Sequence, residues 1–309
     1  MLRLVFCGTP AFAVPSLRQL LAEPEFDVRA VVTQPDRRRG RGQEFSFSPV
    51  KEAALAADIP IFQPEKIKTD EVYEFFAGQA ADAMVIIAYG RIIPERLLNI
   101  PRLGWINLHA SLLPRYRGAA PIQWAIVNGE TRSGLTTMRI DAGLDTGPIM
   151  QRKEVKIGPD ETAPELSARM AQAGTNLLAN TLRRLARGEI TPEPQDDASA
   201  SLAPPLEKSD GRIAWMLPAG KIYNRIRGLQ PWPGAYTTFR GQSCHIWGKP
   251  DGRSAAAPGT IELDTPDWFV SCGEGSRLHL EFAQIEGRKR ITAREFANGA
   301  RLGAGERFE

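Results

Sequence analysis

The most constraining feature of this sequence is a short apolar segment, residues 82–88, which reads Asp-Ala-Met-Val-Ile-Ile-Ala. After its first residue the segment shows no alternation of apolar and polar side chains. A strand with one face in water alternates, whereas a strand covered on both faces is apolar throughout. Strands of the second kind are typical of parallel sheets that carry helices on both faces. The segment therefore predicts an α/β fold with a buried central strand.

Similar apolar runs alternate with amphipathic stretches over residues 1–189. The predicted strands are residues 2–6, 27–33, 60–62, 82–88, 104–109, 134–140 and 149–155. The predicted helices are residues 13–22, 49–57, 70–80, 121–127 and 163–187. This alternation predicts a doubly wound, Rossmann-like parallel sheet.

The composition changes at residue 190. Residues 190–206 contain four prolines around a short polar run, which predicts a linker. Beyond it lie a predicted helix and several short β-like runs separated by glycines; the helix is residues 217–227, and the strands are residues 235–239, 243–247, 260–263, 268–271 and 278–282. We therefore expect a first domain over residues 1–189, a linker over 190–206, and a small β-barrel domain over 207–309.

Two nucleotide-binding classes are disfavoured despite the expected sheet. The first strand leads into Gly8-Thr-Pro-Ala-Phe-Ala13 instead of GxGxxG, and the sequence contains no GxxxxGK[ST] motif. The glycines of those motifs let the backbone approach phosphates closely. A nicotinamide dehydrogenase and a P-loop enzyme are therefore not expected.

The cysteines, histidines and uncharged runs exclude further classes. The three cysteines are widely spaced and form no CxxC pair, and the three histidines lie too far apart for a zinc motif. The longest uncharged run, residues 4–17, is shorter than the roughly 20 residues that span a bilayer. We expect a cytoplasmic protein that needs no metal and does not enter a membrane.

Two polar residues at the end of a predicted strand are candidates for chemistry. Asn107 and His109 are two positions apart, so in a strand they point to the same face. An amide donor beside an imidazole suits the stabilisation of an oxyanion and the movement of a proton. A buried structural histidine is the alternative reading of His109. Asp145, in a glycine-rich turn after another strand, either orients His109 or serves the turn alone.

The net charge of +3 conceals two basic clusters. Residues 37–41 read Arg-Arg-Arg-Gly-Arg, and residues 208–249 contain seven cations and one anion. Such clusters either face phosphates or lie on an ordinary solvated surface.

The motif Asn107-Leu-His-Ala-Ser-Leu-Leu-Pro-Arg-Tyr-Arg-Gly118, followed by Asp141-Ala-Gly-Leu-Asp-Thr-Gly-Pro148, resembles the 10-formyltetrahydrofolate-dependent formyltransferases. The resemblance runs nearly end to end and includes Ala88-Tyr-Gly-Arg91 and Leu229-Gln-Pro-Trp-Pro-Gly-Ala235. It implies that Asn107, His109 and Asp145 are the catalytic residues. It also implies a folate site, whose expected residues are Ser111, Leu112, Leu113, Pro114, Gly118, Tyr89 and Gly90.

The arginine loop and the second domain resemble one branch of that family. In this branch the formyl group of 10-formyltetrahydrofolate goes to the α-amino group of methionine on initiator tRNA, for translation initiation. The resemblance implies that Arg39, Arg41 and Lys208 contact the tRNA, that the second domain is an OB-like barrel, and that the protein is a monomer. The alternatives are a formyltransferase for an aminoarabinose sugar nucleotide, a folate hydrolase and a non-catalytic RNA-binding protein.

Overall fold

A computed structural model describes residues 1–39, 44–264, 266–303 and 305–309, with the backbone alone for residues 37–39, 44 and 45. The chain forms two compact units. Unit 1 contains Met1–Pro121, Arg132–Lys156 and Ser167–Pro204, and unit 2 contains Ile122–Thr131, Ile157–Leu166 and Pro205–Glu309.

Unit 1 is built on a seven-stranded sheet. The strands in this part of the chain are β1 (Leu2–Gly8), β2 (Phe26–Val32), β3 (Arg37–Arg39), β4 (Glu44–Ser46), β5 (Ile61–Phe62), β6 (Ala83–Ile87), β7 (Trp105–His109), β8 (Arg117–Gly118), β9 (Arg132–Arg139), β10 (Ile149–Lys156) and β11 (Leu202–Ala203). The main sheet has the order β10-β9-β7-β6-β1-β2-β5, while β3 pairs with β4 and β8 pairs with β11.

Helices connect these strands, and several begin at caps that the sequence supplies. They are α1 (Val14–Ala22), α2 (Pro49–Ala56), α3 (Asp70–Gly78), α4 (Glu95–Leu98), α5 (Pro121–Val127) and α6 (Ala163–Ala186). The Ser48 and Thr69 hydroxyls accept hydrogen bonds from backbone N–H groups in the first turns of α2 and α3. Such caps satisfy N–H groups that have no partner within the helix.

The α/β expectation is confirmed, but the sheet is mixed. β1, β2, β5, β6 and β7 are parallel neighbours, whereas β9 runs antiparallel to both β7 and β10. The prediction of a wholly parallel sheet is therefore wrong for β9, which runs against the other strands and makes antiparallel pairs on both sides. Residues 140–148 join β9 to β10, and apolar patterning does not report strand direction.

The core of unit 1 covers both faces of the sheet. All five residues of β6 are buried, as the lack of alternation predicts. On one face the Trp105 indole packs edge-on against Phe76 and donates a hydrogen bond to the Leu97 carbonyl at 2.8 Å. On the other face α6 approaches β7 so closely at Gly174 that a Cβ there would lie 2.7 Å from Leu108. The two layers fix the orientation of β7, the strand that carries Asn107 and His109.

We expected residues 190–206 to be a linker, and the part of this segment up to Pro204 makes ordered contacts within unit 1. Glu193 forms a β-bridge with Ile149, and β11 pairs with β8. These contacts bring the segment to the strand that follows the Ser111–Pro114 motif.

The part of unit 2 over residues 205–309 has an antiparallel sheet and two helices among its described residues. Its strands are β12 (Tyr236–Phe239), β13 (Gln242–Arg253), β14 (Ile261–Asp264), β15 (Asp267–Ser271), β16 (Ser276–Ile285) and β17 (Ile291–Thr292), and its helices are α7 (Ala219–Gly228) and α8 (Ala293–Ala300). The order is β12-β13-β16-β15-β14, with β17 also on β16. No pairing between β12 and β14 occurs among the described residues, so the OB-like barrel stays a prediction.

Helix α8 was not predicted, although the sequence carries its start signal. Thr292 and Glu295 form a reciprocal capping box at its first turn. In the described part of the chain, no helix is long and apolar enough to cross a membrane.

Candidate active site

Strand β7 places two polar side chains on one face. Asn107 pairs in register with Ile86 of β6 and Met138 of β9, and His109 pairs with Thr136. Asn107 is half-buried, and His109 is 6% exposed. Because alternate residues share a face, both side chains lie opposite the Leu108 contact with α6.

The turn between β9 and β10 presents Asp145. The Asp141 carboxylate accepts hydrogen bonds from the Gly143 N–H at 3.0 Å and from the Thr146 hydroxyl at 2.7 Å. Gly147 lies against the Arg139 carbonyl with no room for a Cβ. Asp145 itself has a φ of 52°, a left-handed conformation that is uncommon outside glycine.

The three predicted catalytic residues meet in one cluster. The Asn107 amide nitrogen lies 3.5 Å from one Asp145 carboxylate oxygen, and His109 Nδ1 lies 3.6 Å from the other. That second oxygen also accepts a hydrogen bond from the Gly118 N–H at 2.9 Å.

The second ring nitrogen of His109 has its own partner. Nε2 lies 2.9 Å from the Tyr116 carbonyl oxygen, which can only accept, so Nε2 carries a proton. In an imidazolium ring Nδ1 would carry a second proton, which either Asp145 at 3.6 Å or a substrate oxygen could accept. The cluster thus combines an amide donor, an imidazole and a carboxylate, which together suit acyl-group transfer.

The Ser111–Pro114 turn is held from β9. The Thr136 hydroxyl donates to the Ser111 carbonyl at 2.7 Å and accepts from the Leu113 N–H at 3.2 Å. Ser111 and Leu113 are buried, whereas Leu112 and Pro114 are half-buried. The turn therefore offers a small apolar surface beside His109.

A cavity of about 550 Å³ lies at the carboxyl ends of β1 and β6. The chain goes from β1 outward to β2 and β5, then returns to β6 on the other side of β1, which makes this crevice the switch point of the sheet. Ligands of open α/β sheets bind at such points. Its lining includes Thr9, Gln34, Ser48, Tyr89, Gly90 and Arg91.

Tyr89 and Gly90 contribute to this cavity mainly through the backbone. The Tyr89 carbonyl accepts a hydrogen bond from the Gln34 amide at 3.0 Å. The Tyr89 ring is 2% exposed, and burial raises the pKa of its hydroxyl well above the ordinary value. Gly90 has a φ of +80°, which favours glycine.

The predicted tRNA contacts lie in both units. Arg39 is in β3, Arg41 lies outside the described residues, and Lys208 is exposed in a 3₁₀ turn, Lys208–Gly211. At the base of the arginine loop, Asp36 pairs with Lys51 and accepts a hydrogen bond from Gln63 at 3.0 Å. The Lys51 hydrogen bond holds the pKa of Asp36 below its usual range.

Two of the seven cations of residues 208–249 are engaged within unit 2. Arg227 is buried and donates to the Gly158 and Glu161 carbonyls, while Arg240 pairs with Glu306. These arginines stabilise unit 2.

Sequence reasoning missed an aromatic surface on unit 2. His245 and Trp247 lie two residues apart on β13, and the Arg290 guanidinium lies 4.3 Å from the centre of the Trp247 ring. Tyr236 extends the row beside His245. The alternation in β13 and the run Gly287-Arg-Lys-Arg290 are the signals that could have revealed it.

No group of three His, Cys, Asp or Glu side chains is placed to hold a metal ion within the residues that the structure describes.

Family models match almost the whole chain. The Formyl transferase model matches residues 2–182, and the Formyl transferase, C-terminal domain model matches residues 205–301. This chain belongs to the formyl transferase family.

Relatives and solved structures agree with that assignment. Methionyl-tRNA formyltransferase of Solibacter usitatus is 57% identical over 99% of this chain and 98% of its own length, and that of Koribacter versatilis is 49% identical over the same shares. A solved methionyl-tRNA formyltransferase from Clostridium thermocellum has a TM-score of 0.58 at 15% identity, covering 92% of this chain and 99% of its own. A sugar 3N-formyl transferase has a TM-score of 0.65 at 20% identity, covering 94% and 99%. These structural likenesses show the fold alone.

Proposed function

We propose that this chain transfers the formyl group of 10-formyltetrahydrofolate to the α-amino group of methionine on initiator methionyl-tRNA. The 57% identity to a methionyl-tRNA formyltransferase over nearly the full length carries this proposal. The cluster of Asn107, His109 and Asp145 at the end of β7 supports it, because its donors and its carboxylate suit acyl transfer to an amine.

Asn107 and His109 stabilise the tetrahedral intermediate. The amino nitrogen of methionine forms a bond to the formyl carbon, and the carbonyl oxygen becomes an oxyanion. The Asn107 amide and the protonated His109 ring donate hydrogen bonds to this oxyanion. The intermediate then collapses, the bond from the formyl carbon to N10 of the folate breaks, and the proton released by the amine ends on N10. Loss of one such donor typically costs roughly 100- to 1,000-fold in rate.

Asp145 supports the charge on His109 and helps to remove the ammonium proton through water. Its carboxylate lies 3.6 Å from His109 Nδ1 and is 17% exposed, so solvent reaches it. A carboxylate in this position also fixes the ring orientation, as the aspartate of a catalytic triad does.

The folate donor occupies the region between the Ser111–Pro114 turn and the switch-point cavity. Leu112 and Pro114 supply apolar surface, and the backbone at Tyr89 and Gly90 supplies polar groups. A cavity of about 550 Å³ has the size of a small-molecule site. Gly118, which the family resemblance assigns to the folate site, also donates its N–H to the Asp145 carboxylate.

The tRNA contacts Arg39, Arg41 and Lys208 in this proposal. The surface of Tyr236, His245, Trp247 and Arg290 adds aromatic rings and a cation, the groups on which RNA bases stack. Residues 207–309, which make up most of unit 2, are proposed to form an OB-like tRNA-binding domain that follows a catalytic domain over 1–189 and a connecting segment over 190–206. We also propose that the protein is a monomer and acts in the cytoplasm.

The test offers 10-formyltetrahydrofolate with three acceptors in parallel: methionyl initiator tRNA, methionyl elongator tRNA and an aminoarabinose sugar nucleotide. Formylated product with the initiator tRNA alone is expected. Product with the sugar nucleotide alone would contradict the proposed tRNA acceptor but would be consistent with formyl transfer by Asn107, His109 and Asp145. Formate release without a formylated acceptor would indicate a folate hydrolase.

A further inference from the structure

We propose that Gln195 is a positioning residue for formyl transfer and that it acts by fixing the backbone that carries Asp145. The inference rests on the proposed roles of Asn107, His109 and Asp145. Gln195 lies in the proline-rich segment whose composition predicts a linker. The structure instead joins this segment to the candidate active site.

The Gln195 side chain forms hydrogen bonds to the Asp145 turn on both sides of Thr146. Its amide nitrogen donates to the Asp145 carbonyl at 2.8 Å and to the Gly147 carbonyl at 2.7 Å. Asp145 has a φ of 52°, a left-handed conformation that is unfavourable for an L-residue. Two hydrogen bonds to the turn offset that cost and keep the carboxylate directed at His109.

Arg117 fixes the orientation of the Gln195 amide. Its Nε and one terminal nitrogen donate to the Gln195 amide oxygen at 3.0 and 2.8 Å. An arginine has no acceptor, so the amide oxygen must face Arg117 and the amide nitrogen must face the two carbonyls. Arg117 is 7% exposed and also donates to Asp197 at 2.7 Å. This buried guanidinium holds Gln195 in a single orientation.

The contacts close into a ring around Asp145. The residue after Arg117 is Gly118, whose N–H donates to the Asp145 carboxylate at 2.9 Å. One short strand, β8, therefore holds the carboxylate directly and the backbone carbonyl through Gln195. Rotation of Asp145 away from His109 would break bonds at both ends of the residue.

The same segment also reaches His109. The Ser201 hydroxyl accepts a hydrogen bond from the Tyr116 N–H at 2.9 Å, and the Tyr116 carbonyl accepts from His109 Nε2 at 2.9 Å. Residues 195–201 thus hold the partners of two predicted catalytic residues. The Gln195 contact is the more direct of the two, because it reaches the backbone of Asp145 itself, whereas Ser201 reaches His109 only through Tyr116.

The test removes the donor from Gln195 in two ways. Gln195→Met keeps the size of the side chain and loses all four hydrogen bonds, whereas Gln195→Glu keeps an acceptor for Arg117 but cannot donate to the two carbonyls when ionised. We expect kcat for formylation of methionyl-tRNA to fall about 100-fold in both, as for a catalytic group displaced by roughly 1 Å. The KM values for tRNA and folate should change less than about threefold. Asp197→Asn retains an acceptor for Arg117 and is the matched control, with kcat close to the parent value.

Two further measurements separate positioning from a general structural role. In an Asp145→Asn background, Gln195→Met should lower kcat less than about threefold further, because its effect passes through the missing carboxylate. Deuterium exchange of residues 141–148 should be about tenfold faster in Gln195→Met while the rest of the chain exchanges as in the parent. An equal loss of kcat in both backgrounds, or unchanged exchange of residues 141–148, would overturn the inference. The exchange measurement needs no substrate. It therefore tests the role of Gln195 even if the parent chain does not formylate methionyl-tRNA, which would instead overturn the proposed function.

Discussion

Replacement of Asp145 by asparagine tests the proposed chemistry with the least change in shape. The carboxylate lies 3.6 Å from His109 Nδ1. At an effective dielectric constant of about 20, a full charge at this separation interacts with an imidazolium by roughly 4–5 kcal/mol. Each 1.36 kcal/mol of lost stabilisation corresponds to about tenfold in rate, so kcat should fall roughly 1,000-fold. The Gly118 N–H keeps an oxygen to donate to, and the turn should therefore keep its fold.

The assay is single-turnover formylation of methionyl initiator tRNA with saturating 10-formyltetrahydrofolate, together with the tRNA KM and thermal unfolding. The chemical step should be slow, while the KM stays within about threefold and the melting temperature is unchanged.

Asp141→Asn is the matched control, because it changes an aspartate of the same turn. The Asp141 carboxylate accepts from Gly143 and Thr146 through one oxygen, and an asparagine oxygen can accept both bonds. This variant should retain turnover close to the parent value. A loss smaller than about tenfold in Asp145→Asn, or equal losses in the two variants, would refute the assignment of Asp145.

Three other predictions concern the surroundings of the site. Gly118→Ala should lower the melting temperature and kcat together, because φ is +124° and the new Cβ would lie 2.6 Å from the Ala203 carbonyl oxygen; unchanged unfolding would contradict this. The Arg3 guanidinium holds the pKa of the buried Asp82 carboxyl well below its usual range. This pair therefore stabilises the fold above about pH 4, and the stabilisation is lost as the pH falls through the pKa of Asp82 in the folded state. Asp82→Asn should therefore cost about 1–2 kcal/mol in urea unfolding at pH 7 and less at pH 3, and a pH-independent difference would argue against it. Arg41→Ala should raise the tRNA KM and its dependence on salt while folate-dependent chemistry persists, and an unchanged tRNA KM would exclude the loop from binding.

The first unit shows which parts of a fold follow from local pattern. β6 and β7 lie where apolar runs predict them, because burial on both faces leaves a direct trace in the sequence. The period of two in a strand also placed Asn107 and His109 on one face. Strand direction leaves no such trace, so the strands at residues 134–140 and 149–155 were predicted but the reversed direction of β9 was not.

The Asp145 part of the site depends on contacts between distant segments. The turn chemistry of Asp141, Gly143 and Thr146 is local and readable from the sequence. The contact to His109, in contrast, depends on how β7 and β9 pair and on a left-handed residue at position 145. The resemblance to a known family supplied the role of Asp145 at the point where spacing alone left a turn as an equal alternative.

The segment that contains Gln195 was predicted to be a linker from its prolines, which restrict the backbone but not the side chains. Prolines remove N–H donors and disfavour helices and central strands, so a proline-rich stretch predicts an irregular path. That path still offers carbonyls and side chains, and here the side chain of Gln195 joins Arg117 to the Asp145 turn. An irregular segment can therefore hold a turn through a side chain, which here is itself oriented by the buried Arg117. The Gln195 contacts join residues that are 50 positions apart (Asp145) and 78 positions apart (Arg117) in the sequence. Such contacts cannot be predicted from local sequence, because they form only when the fold brings these segments together.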